Sequence, residues 1–444
     1  MKTKARSFSK ETTRIVKVGA NMGTFVAKVA TKNLLGISKS NKNANELTEL
    51  LGGLKGPLMK IAQILATIPD AIPEEYAEQL SKLQAEAPAM GWFFVKRRMR
   101  QELGQDWQRN FSYFEKDASK AASLGQVHKV KLLNSNIEMA CKLQYPDMIS
   151  TINADLKQLK LIAKIYKKIE RTIDTDEIYK EIEERLYEEI DYNNEFKNIL
   201  IYKNIFGNNK NICVPEPYKK LSTSKLITMS WLEGTKLNKF YKASLSDRNY
   251  IAKNLFTAWY LPFYKYGIIH GDPHPGNYTI GSNSSILNLL DYGSIRTFTP
   301  EFVEGVIKLY RALKNDNQQL ATEAYKSWGF KNLNKSLVDA LNIWASYLYG
   351  PLIDNKTRKI QDHNSASYGK QLLGEVRKEL KKYGDIKPPR EFVLVDRAAI
   401  GLGSVFMHLN AELNWHLIFE DLIANFSKEK LHKSQKSIIK KSIY

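Results

Sequence analysis

The chain has 444 residues, enough for one large two-lobed domain or two ordinary domains. Hydrophobic residues make up 43% and charged residues 26%, a composition that argues against a disordered chain. The two cysteines, Cys141 and Cys213, form no CxxC pair. This argues against a disulfide scaffold or a thiolate metal site and is consistent with a reducing compartment.

The formal net charge of +20 is concentrated at the two ends of the chain. Residues 1–45 hold ten Lys or Arg and one acid, Glu11, and residues 428–444 hold six lysines and Glu429. Such ends indicate an anionic membrane surface or a nucleic acid as partner, or simply a set of solvated lysines. Nucleic acid is disfavoured because the basic ends lack interleaved aromatic residues and any known binding motif.

The first predicted element is a basic amphipathic helix within an N-terminal arm, residues 1–45. Its apolar residues recur at helical spacing, namely Ile15, Val18, Met22, Phe25 and Val29. The helix either lies on a membrane surface or docks on the protein, and the scarcity of acids leaves a transit peptide as an alternative. No transmembrane span is expected, because the longest largely apolar run, residues 255–264, is far shorter than the roughly 20 residues that a bilayer requires.

The remaining elements follow in the order helices, small β-rich region, large helical region. A glycine-rich break at residues 52–57 opens a helical extension predicted over residues 46–110. Residues 126–132 and 137–144 flank turn residues and predict a hairpin. Helices are predicted at about 150–172 and 176–200, and strands at 212–214 and 225–230. An α+β fold is expected, with a β-rich lobe over 111–235 and a helical lobe over 236–444, broken by a loop at 267–294.

The chemistry is concentrated in that loop. Asp272 is followed five positions later by Asn277, and Asp291 precedes an aromatic residue and a glycine. This is the arrangement of a kinase catalytic loop, in which one carboxylate orients the attacking hydroxyl or water and hard oxygen ligands hold Mg²⁺ against the phosphates. Asp272 suits the first role, and Asn277 and Asp291 suit the second. A strand pair that includes residues 286–290 is predicted to return Asp291 to the side of Asn277.

Two histidines flank Asp272 in the same loop. His270 and His274 lack a third ligand at a recognisable spacing, so a metal site built on them is not expected. We interpret both as residues that order the loop.

Lys142 is the predicted phosphate-binding lysine. It ends a predicted strand and matches the Val-Ala-x-Lys pattern, in which a glutamate on a helix holds the lysine in place. Spacing alone leaves Glu188, Glu189 and Glu195 open as that partner. Downstream, residues 228–234 resemble an inter-lobe hinge whose backbone, at Ser230 to Leu232, would reach the adenine edge.

The expected glycine-rich phosphate loop is missing. The equivalent strand turn, residues 120–127, has one glycine, and the methyl groups of Ala121 and Ala122 restrict the approach of the backbone to a nucleotide. An ordinary protein kinase is therefore disfavoured.

Three motifs together resemble the UbiB/AarF atypical kinase family, which is associated with ubiquinone biosynthesis in bacteria, mitochondria and plastids. They are Ala-x-Ser-x-Gly-Gln-Val-His at 121–128, Lys-Leu-Gln-Tyr-Pro at 142–146, and His-Gly-Asp-Pro-His-Pro-Gly-Asn at 270–277. The resemblance runs from about residue 50 to 300. It implies a two-lobed protein-kinase-like fold with an N-terminal helical extension over the active site and a large helical C-lobe.

The resemblance also implies roles for individual residues. Lys60 and Gln63 match a regulatory Lys-x-Gly-Gln motif in which Ala62 replaces the glycine, and Glu189 and Asp191 match its Glu-x-Asp partner. Glu195 then matches the glutamate that pairs with Lys142. The alanine-rich turn tunes nucleotide preference in the family. Lys120 replaces its first alanine here, which leaves that preference open.

The predicted site therefore comprises catalytic residues, nucleotide contacts and metal ligands. The catalytic residues are Lys142, Glu195 and Asp272, and the Mg²⁺ ligands are Asn277 and Asp291. ATP or ADP is expected to contact Ala121, Ala122, Ser123, Gly125, Gln126, Val127, Ala140, Lys142, Met229, Ser230, Trp231 and Leu232.

The resulting hypothesis is an ATP- and Mg²⁺-dependent ATPase or phosphotransferase that supports ubiquinone biosynthesis at a membrane surface. Expected partners are an anionic membrane or lipid, ubiquinone-biosynthesis proteins and prenylated quinone precursors. The expected location is cytoplasmic and peripheral to the inner membrane in a bacterium, or the mitochondrial matrix side in a eukaryote. The alternatives are a soluble small-molecule kinase of the aminoglycoside or choline kinase type and a non-catalytic, nucleotide-binding lipid-handling module.

Overall fold

The computed structural model describes residue 61 and residues 89–135, 137–169, 175–281, 286–360 and 390–443. The chain divides into two compact units, Met1–Asn194 with Pro217–Trp231 and Glu195–Glu216 with Leu232–Tyr444. The predicted arm at 1–45 lies outside the described residues, and so does the predicted extension before residue 89 apart from Ile61. The four predicted domains and their bounds stay predictions.

An antiparallel sheet forms the centre of the first unit. Its strands are β1 (Phe111–Phe114), β2 (Lys120–Ala121), β3 (Gly125–Leu132), β4 (Glu138–Gln144) and β6 (Leu226–Ser230). They lie in the order β1-β3-β4-β6, with β2 paired to β3. The β3–β4 pairing, which sets Val127 opposite Lys142, confirms the predicted hairpin.

Helix α1 (Trp92–Leu103) covers one face of this sheet. Side chains at alternate positions of β4, Met139, Cys141 and Leu143, are fully buried, as the two-residue period of a strand requires. They pack with Val95 and Met99 of α1 and with the aromatic pair Trp107 and Phe111. Truncation of Met99 to alanine would cost about 2–5 kcal/mol, the usual range for a buried methionine.

Three helices follow β4: α2 (Met148–Ile169), α3 (Thr175–Glu189) and α4 (Tyr192–Phe206). The prediction of a single helix over residues 176–200 is wrong, because the helix is interrupted at residues 190–191. The carbonyl of Ile190 accepts a hydrogen bond from Nε2 of Gln144 at 2.8 Å, so it leaves the helical ladder. Asp191 then caps α4 by accepting from the amide of Asn194 at 3.0 Å.

Short strands organise the second unit. Their bounds are β5 Ile212–Cys213, β7 Thr235–Lys236, β8 Ile268–His270, β9 Tyr278–Ile280, β10 Leu287–Leu289, β11 Ile295–Thr297, β12 Arg358–Lys359 and β13 Glu412–Leu413. One sheet has the order β5-β10-β9-β7, in which β10 lies parallel to β5 and antiparallel to β9. A two-stranded sheet joins β8 to β11 in antiparallel register, and another joins β12 to β13.

Helix α5 (Leu245–Tyr266) is the core helix of the second unit. It buries residues on several faces, including Phe256, Trp259 and Phe263, and it ends at Gly267, whose φ of 64° lies in the left-handed region that glycine adopts readily. The helices that follow are α6 Pro300–Lys314, α7 Gln318–Ser327, α8 Lys335–Ile353, α9 Arg390–Leu409, α10 Trp415–Ile423 and α11 Lys428–Lys441. Among the described residues, none of the helices combines the length and the apolar character needed to cross a bilayer.

Candidate functional site

The loop that carries Asp272 begins at strand β8, which places His270 in the interior of the second unit. His270 is 4% exposed. Its Nε2 donates to the carbonyl of Asp291 at 2.7 Å, and its Nδ1 accepts from the amide of Asp272 at 3.1 Å. These two bonds fix the tautomer of the ring and connect the two acidic residues through one side chain. The interpretation of His270 as a loop-ordering residue agrees with this geometry.

The carboxylate of Asp272 is held by the amide of Asn277. Nδ2 of Asn277 donates to Oδ2 of Asp272 at 3.0 Å and to the backbone carbonyl of Asp272 at 3.2 Å. Because the amide nitrogen is engaged by Asp272, the amide oxygen of Asn277 is oriented away from that residue. His274 stabilises the intervening turn, since its Nδ1 accepts from the amide of Gly276 at 3.0 Å.

The strand pair β9–β10 brings Asp291 back towards Asn277, as the sequence predicted. Tyr278 lies opposite Leu289, and the amide of Leu290 donates to the carbonyl of Asn277 at 3.0 Å. Oδ1 of Asp291 accepts from the amide of Gly293 at 2.9 Å, which orients the carboxylate. Hydrogen bonds within the second unit therefore join Asp272 to Asn277, and Asn277 to the residue that precedes Asp291.

This donor set fits a hard divalent cation. Carboxylate and amide oxygens are the ligands that Mg²⁺ prefers, and Mg²⁺ usually takes only one or two protein carboxylates and completes its shell with water and phosphate oxygens. Among the described residues there is no group of three His, Cys, Asp or Glu side chains arranged for a metal. The assignment of Asn277 and Asp291 as Mg²⁺ ligands stays a prediction.

Glu195 lies in the second unit, close to this loop. Its side chain is 2% exposed, and its charge contributes to raising the pKa of Tyr292, for which burial is the largest cause. A buried carboxylate is costly unless a cation or hydrogen-bond donors compensate it. One turn further along α4, Nδ2 of Asn198 donates to the carbonyl of Tyr292 at 2.9 Å.

Lys142 lies on β4 in the first unit, opposite Val127 of β3 and Ile227 of β6. Its Nζ is 5.3 Å from the centroid of the Tyr192 ring, a distance at which the ring face attracts the ammonium group. Tyr192 is the first residue of α4, three positions before Glu195. The pairing of Lys142 with Glu195 stays a prediction, and so do the alternatives Glu188 and Glu189.

Cys141, next to Lys142 in the sequence, is a buried thiol of low reactivity. Burial raises the pKa of its thiol to about 12, so the sulfur stays protonated and bears no charge that would compete for the lysine.

The alanine-rich turn is tight and anchored by backbone contacts. The amide of Ala122 donates to the carbonyl of Gly125 at 2.9 Å, and the amide of Tyr145 donates to the carbonyl of Leu124 at 3.0 Å. Gly125 is required by packing, because a Cβ there would lie 2.6 Å from the Leu143 carbonyl oxygen. Leu124 at the tip is 4% exposed, and Ser123 beside it is 9% exposed. The tip of the turn is therefore buried in the first unit, whereas Ala122 is exposed.

Strand β6 carries two of the four residues predicted as hinge contacts, Met229 and Ser230. Met229 and Ser230 lie opposite Ala140 and Met139 of β4. The amide of Trp231 donates to the carbonyl of Glu138 at 2.9 Å. That amide is thus already bonded, and recognition of adenine by the Trp231 amide would require this bond to break. Leu232 is the first residue of the next segment of the second unit.

Only part of the predicted regulatory motif can be located. Lys60 and Gln63 lie outside the described residues. Ile61, which lies between them in the sequence, is 4% exposed and packs in one cluster with Leu124 at the tip of the alanine-rich turn and with Tyr145. Glu189 ends α3, and Asp191 is the cap of α4, so Asp191 has a structural function in addition to any pairing with Lys60.

Two glutamines of the first unit form side-chain hydrogen bonds to distant backbone segments that the sequence did not predict. Gln126 holds the backbone of Met90, accepting from its amide at 2.7 Å and donating to its carbonyl at 3.0 Å. Gln144 holds the carbonyl of Ile190. Both glutamines belong to motifs quoted above, at 121–128 and 142–146, so the signal was present. The sequence could not say which backbone segment each glutamine would bind.

A family model described as the ABC1 atypical kinase-like domain matches residues 82–325, more than half of the chain. The chain belongs to this family. The predicted UbiB/AarF resemblance is thereby confirmed, since relatives of this chain carry the names aarF domain-containing kinase and ABC1 kinase.

Several named relatives of the ABC1 family align with the chain. An uncharacterized, chloroplastic aarF domain-containing protein kinase of Arabidopsis thaliana is 29% identical over 84% of this chain and 53% of its own length. Protein ACTIVITY OF BC1 COMPLEX KINASE 7 of the same plant, also chloroplastic, is 36% identical over 59% of this chain and 38% of its own length. The mitochondrial atypical kinase COQ8 of Saccharomyces cerevisiae is 24% identical over 87% of this chain and 77% of its own length. The chain thus spans about half or less of the two plant relatives.

A solved structure supports the fold. The complex of Rv3197 with erythromycin from Mycobacterium tuberculosis aligns with a TM-score of 0.59 and 24% identity, covering 89% of this chain and 98% of that chain. The predicted α+β, kinase-like fold is confirmed. The roles assigned to individual site residues stay predictions.

Proposed function

We propose that this ABC1-family chain binds ATP, or ADP, together with Mg²⁺ and acts as an ATPase or as a phosphotransferase on a small or lipid-like acceptor. The observation that carries the proposal is the Asp272–Asn277–Asp291 arrangement. One amide nitrogen is held by Asp272, and a backbone bond from Leu290 to Asn277 draws the second acid alongside. We do not expect a surface loop without this function to combine these contacts with the residue spacing of a kinase catalytic loop.

Each residue has a distinct task in this proposal. Asp272 would orient the attacking hydroxyl or water and receive its proton, and the Asn277 amide fixes the carboxylate for that purpose. The oxygens of Asn277 and Asp291 would hold Mg²⁺, which neutralises phosphate charge when bound. Lys142 would contact nonbridging phosphate oxygens, and Glu195 would position it.

The setting of this activity is proposed to be an anionic membrane surface, in support of ubiquinone biosynthesis. The family resemblance supports the pathway, and the names of the yeast and plant relatives place them in mitochondria and chloroplasts. The lysines of the C-terminal helix α11 support the surface. Prenylated quinone precursors and ubiquinone-biosynthesis proteins are the proposed partners. The location follows the organism: peripheral to the inner membrane in a bacterium, or the matrix side in a mitochondrion.

The test is Mg²⁺-dependent ATP hydrolysis by the purified chain, with and without anionic liposomes. Asp272→Asn should reduce turnover by about 100-fold or more, because it removes the proton acceptor while keeping the shape of the side chain. Asp291→Asn should abolish Mg²⁺-dependent nucleotide binding in calorimetry. The exposed Asp421 provides a matched control, and Asp421→Asn should change neither quantity.

The outcomes separate the competing functions. Unchanged nucleotide binding in Asp291→Asn would refute the metal assignment. Binding without turnover above that of Asp272→Asn would favour the non-catalytic lipid-handling module. Phosphorylation of a soluble alcohol or amino sugar, with no response to liposomes, would favour the small-molecule kinase.

A further inference from the structure

The helices of the second unit enclose an apolar cavity of about 80 Å³. Its wall is contributed by α5 to α9 together with strand β8, and includes Trp259, Phe263, Ile269, Tyr325, Trp344 and Val395. Protein interiors are close-packed, and voids larger than a water molecule are few in any domain. An apolar cavity of this size stays free of ordered water and can take up an apolar ligand.

The wall selects against charge. None of the described residues that line the cavity is Asp, Glu, Lys, Arg or His. Several of its polar atoms are already bonded within the protein: Tyr325 Oη donates to Asn342 at 3.0 Å, and Trp328 Nε1 donates to the carbonyl of Phe302 at 3.0 Å. No charged side chain of the described wall could compensate an ion that lost its hydration on entering, so the wall favours a neutral, apolar ligand.

The shape of the cavity favours the end of a chain over a compact molecule. The cavity is neither fully enclosed nor a flat surface, so a long molecule can insert one end and leave the remainder outside. Each methylene group that leaves water on insertion contributes about 0.8 kcal/mol. We infer that the cavity binds the apolar end of a neutral hydrocarbon chain, either straight or isoprenoid.

The cavity lies directly behind the catalytic loop of the second unit. Ile269 lines it and precedes His270 in β8. Trp259, which also lines it, packs against the His270 ring at a centroid distance of 5.5 Å and donates from Nε1 to Tyr278 Oη at 2.7 Å. A chain in the cavity would thus press on residues that hold Asp272 and Asn277. This effect on turnover rests on the proposed function, whereas binding does not.

Thermal unfolding in the presence of three additives tests the binding. Farnesol and dodecanol, one isoprenoid and one straight, should each raise the Tm by about 2–4 °C at saturation, because they bind the folded chain alone. Dodecanoate, which carries a charge on the same chain length, should give a smaller shift. A rise with farnesol alone would restrict the site to isoprenoid chains. Equal shifts with dodecanol and dodecanoate would overturn the inference.

A filled cavity provides the matched variant. Leu348→Phe adds volume inside the cavity, whereas Ile343→Phe makes a similar change on the same helix at a side chain that is 53% exposed and does not line it. Leu348→Phe should lose the Tm shift, and Ile343→Phe should keep it. Equal shifts in the two variants would place the ligand elsewhere and refute the site.

A second measurement covers the case in which Leu348→Phe folds poorly. Three of the seven tryptophans, Trp259, Trp328 and Trp344, line the cavity. In the unmodified chain, 12-bromododecanol should quench tryptophan emission saturably, and dodecanol should reverse the quenching by competition. Quenching that grows linearly without saturation would contradict the inference. Either result is independent of ATP turnover, so failure of the cavity and failure of the proposed function are distinguishable.

Discussion

At the scale of single residues, the glycine of the alanine-rich turn shows how packing can fix a motif residue. A Cβ at Gly125 would lie 2.6 Å from the Leu143 carbonyl oxygen and 2.8 Å from the Tyr192 hydroxyl oxygen. Neither neighbour is a loose side-chain end, since one is backbone in β4 and the other belongs to the ring that faces Lys142. The glycine is therefore explained by contact with the protein, independently of any nucleotide.

We expect Gly125→Ala to lower the free energy of unfolding by about 1–3 kcal/mol, the usual cost of forcing an extra carbon into a packed interior. Urea denaturation followed by circular dichroism measures it. Gly91→Ala is the control, because a Cβ at Gly91 meets no atom within 4 Å. Equal effects of the two substitutions would show that the contact at Gly125 relaxes freely.

The buried histidine of the same motif predicts a pH dependence of stability. Burial is the largest cause that lowers the pKa of His128 from its ordinary value of 6.5. Nδ1 lies 2.9 Å from the carbonyl of Glu115, which can only accept, so Nδ1 carries the proton. Nε2 then accepts from the Gln126 amide at 2.8 Å. The folded state thus holds a neutral ring.

Between the lowered pKa of the folded chain and 6.5, the unfolded chain binds more protons at this ring than the folded chain does. The contribution of the neutral ring to the free energy of unfolding is therefore present above pH 6.5 and decreases as the pH falls through that range, by at most about 1.4 kcal/mol per pH unit. Urea denaturation at pH 7.5 and 5.5 should show a smaller loss for His128→Gln than for the unmodified chain. The exposed His408 provides the control substitution. An unchanged pH slope in His128→Gln would contradict the assignment.

At the scale of elements, the break between α3 and α4 decides where the predicted Glu-x-Asp motif lies. The carbonyl of Ile190 is drawn to Gln144 on β4, and Asp191 caps the helix that carries Glu195. Hydrophobic periodicity over residues 176–200 continues across this point, which is why the sequence indicated one helix. A tertiary hydrogen bond from a strand determines the break.

We expect Asp191→Ala to lower the free energy of unfolding by about 1 kcal/mol through loss of the cap, whereas Asp191→Asn should retain stability because asparagine caps as well as aspartate. The pair also separates the two roles of the residue. If the charge of Asp191 pairs with Lys60, Asp191→Asn will change ATP turnover while its urea midpoint stays the same. Equal destabilisation by both substitutions would refute the cap as its structural role.

At the scale of the whole molecule, the net charge of +20 predicts association with anionic surfaces. The described part of this charge includes α11, where Leu431 and Ile438 are buried and the lysines Lys433, Lys436 and Lys440 are exposed on the remaining faces. The N-terminal arm, which carries ten more basic residues, lies outside the described residues.

We expect the chain to co-sediment with vesicles of phosphatidylglycerol and phosphatidylcholine at 50 mM salt, and to release as salt shortens the range of the attraction. Lys433→Glu with Lys436→Glu should weaken binding more than Lys326→Glu with Lys331→Glu, two exposed changes elsewhere in the same unit that alter the net charge equally. Binding to pure phosphatidylcholine at the same level would show that charge is not the cause.

Local patterns determined much of this protein. The spacing of Asp272, Asn277 and Asp291 predicted both the chemistry and the strand pair that brings Asn277 and Asp291 together, because a short hairpin depends on neighbouring residues. The α+β order and the family were equally readable from turn residues and motifs. The features that only the tertiary structure determined are contacts between residues far apart in the chain. The hydrogen bonds of Gln126 to Met90, the break at Ile190 and the apolar cavity behind His270 arise from packing between distant segments, and no periodicity within one segment specifies such contacts.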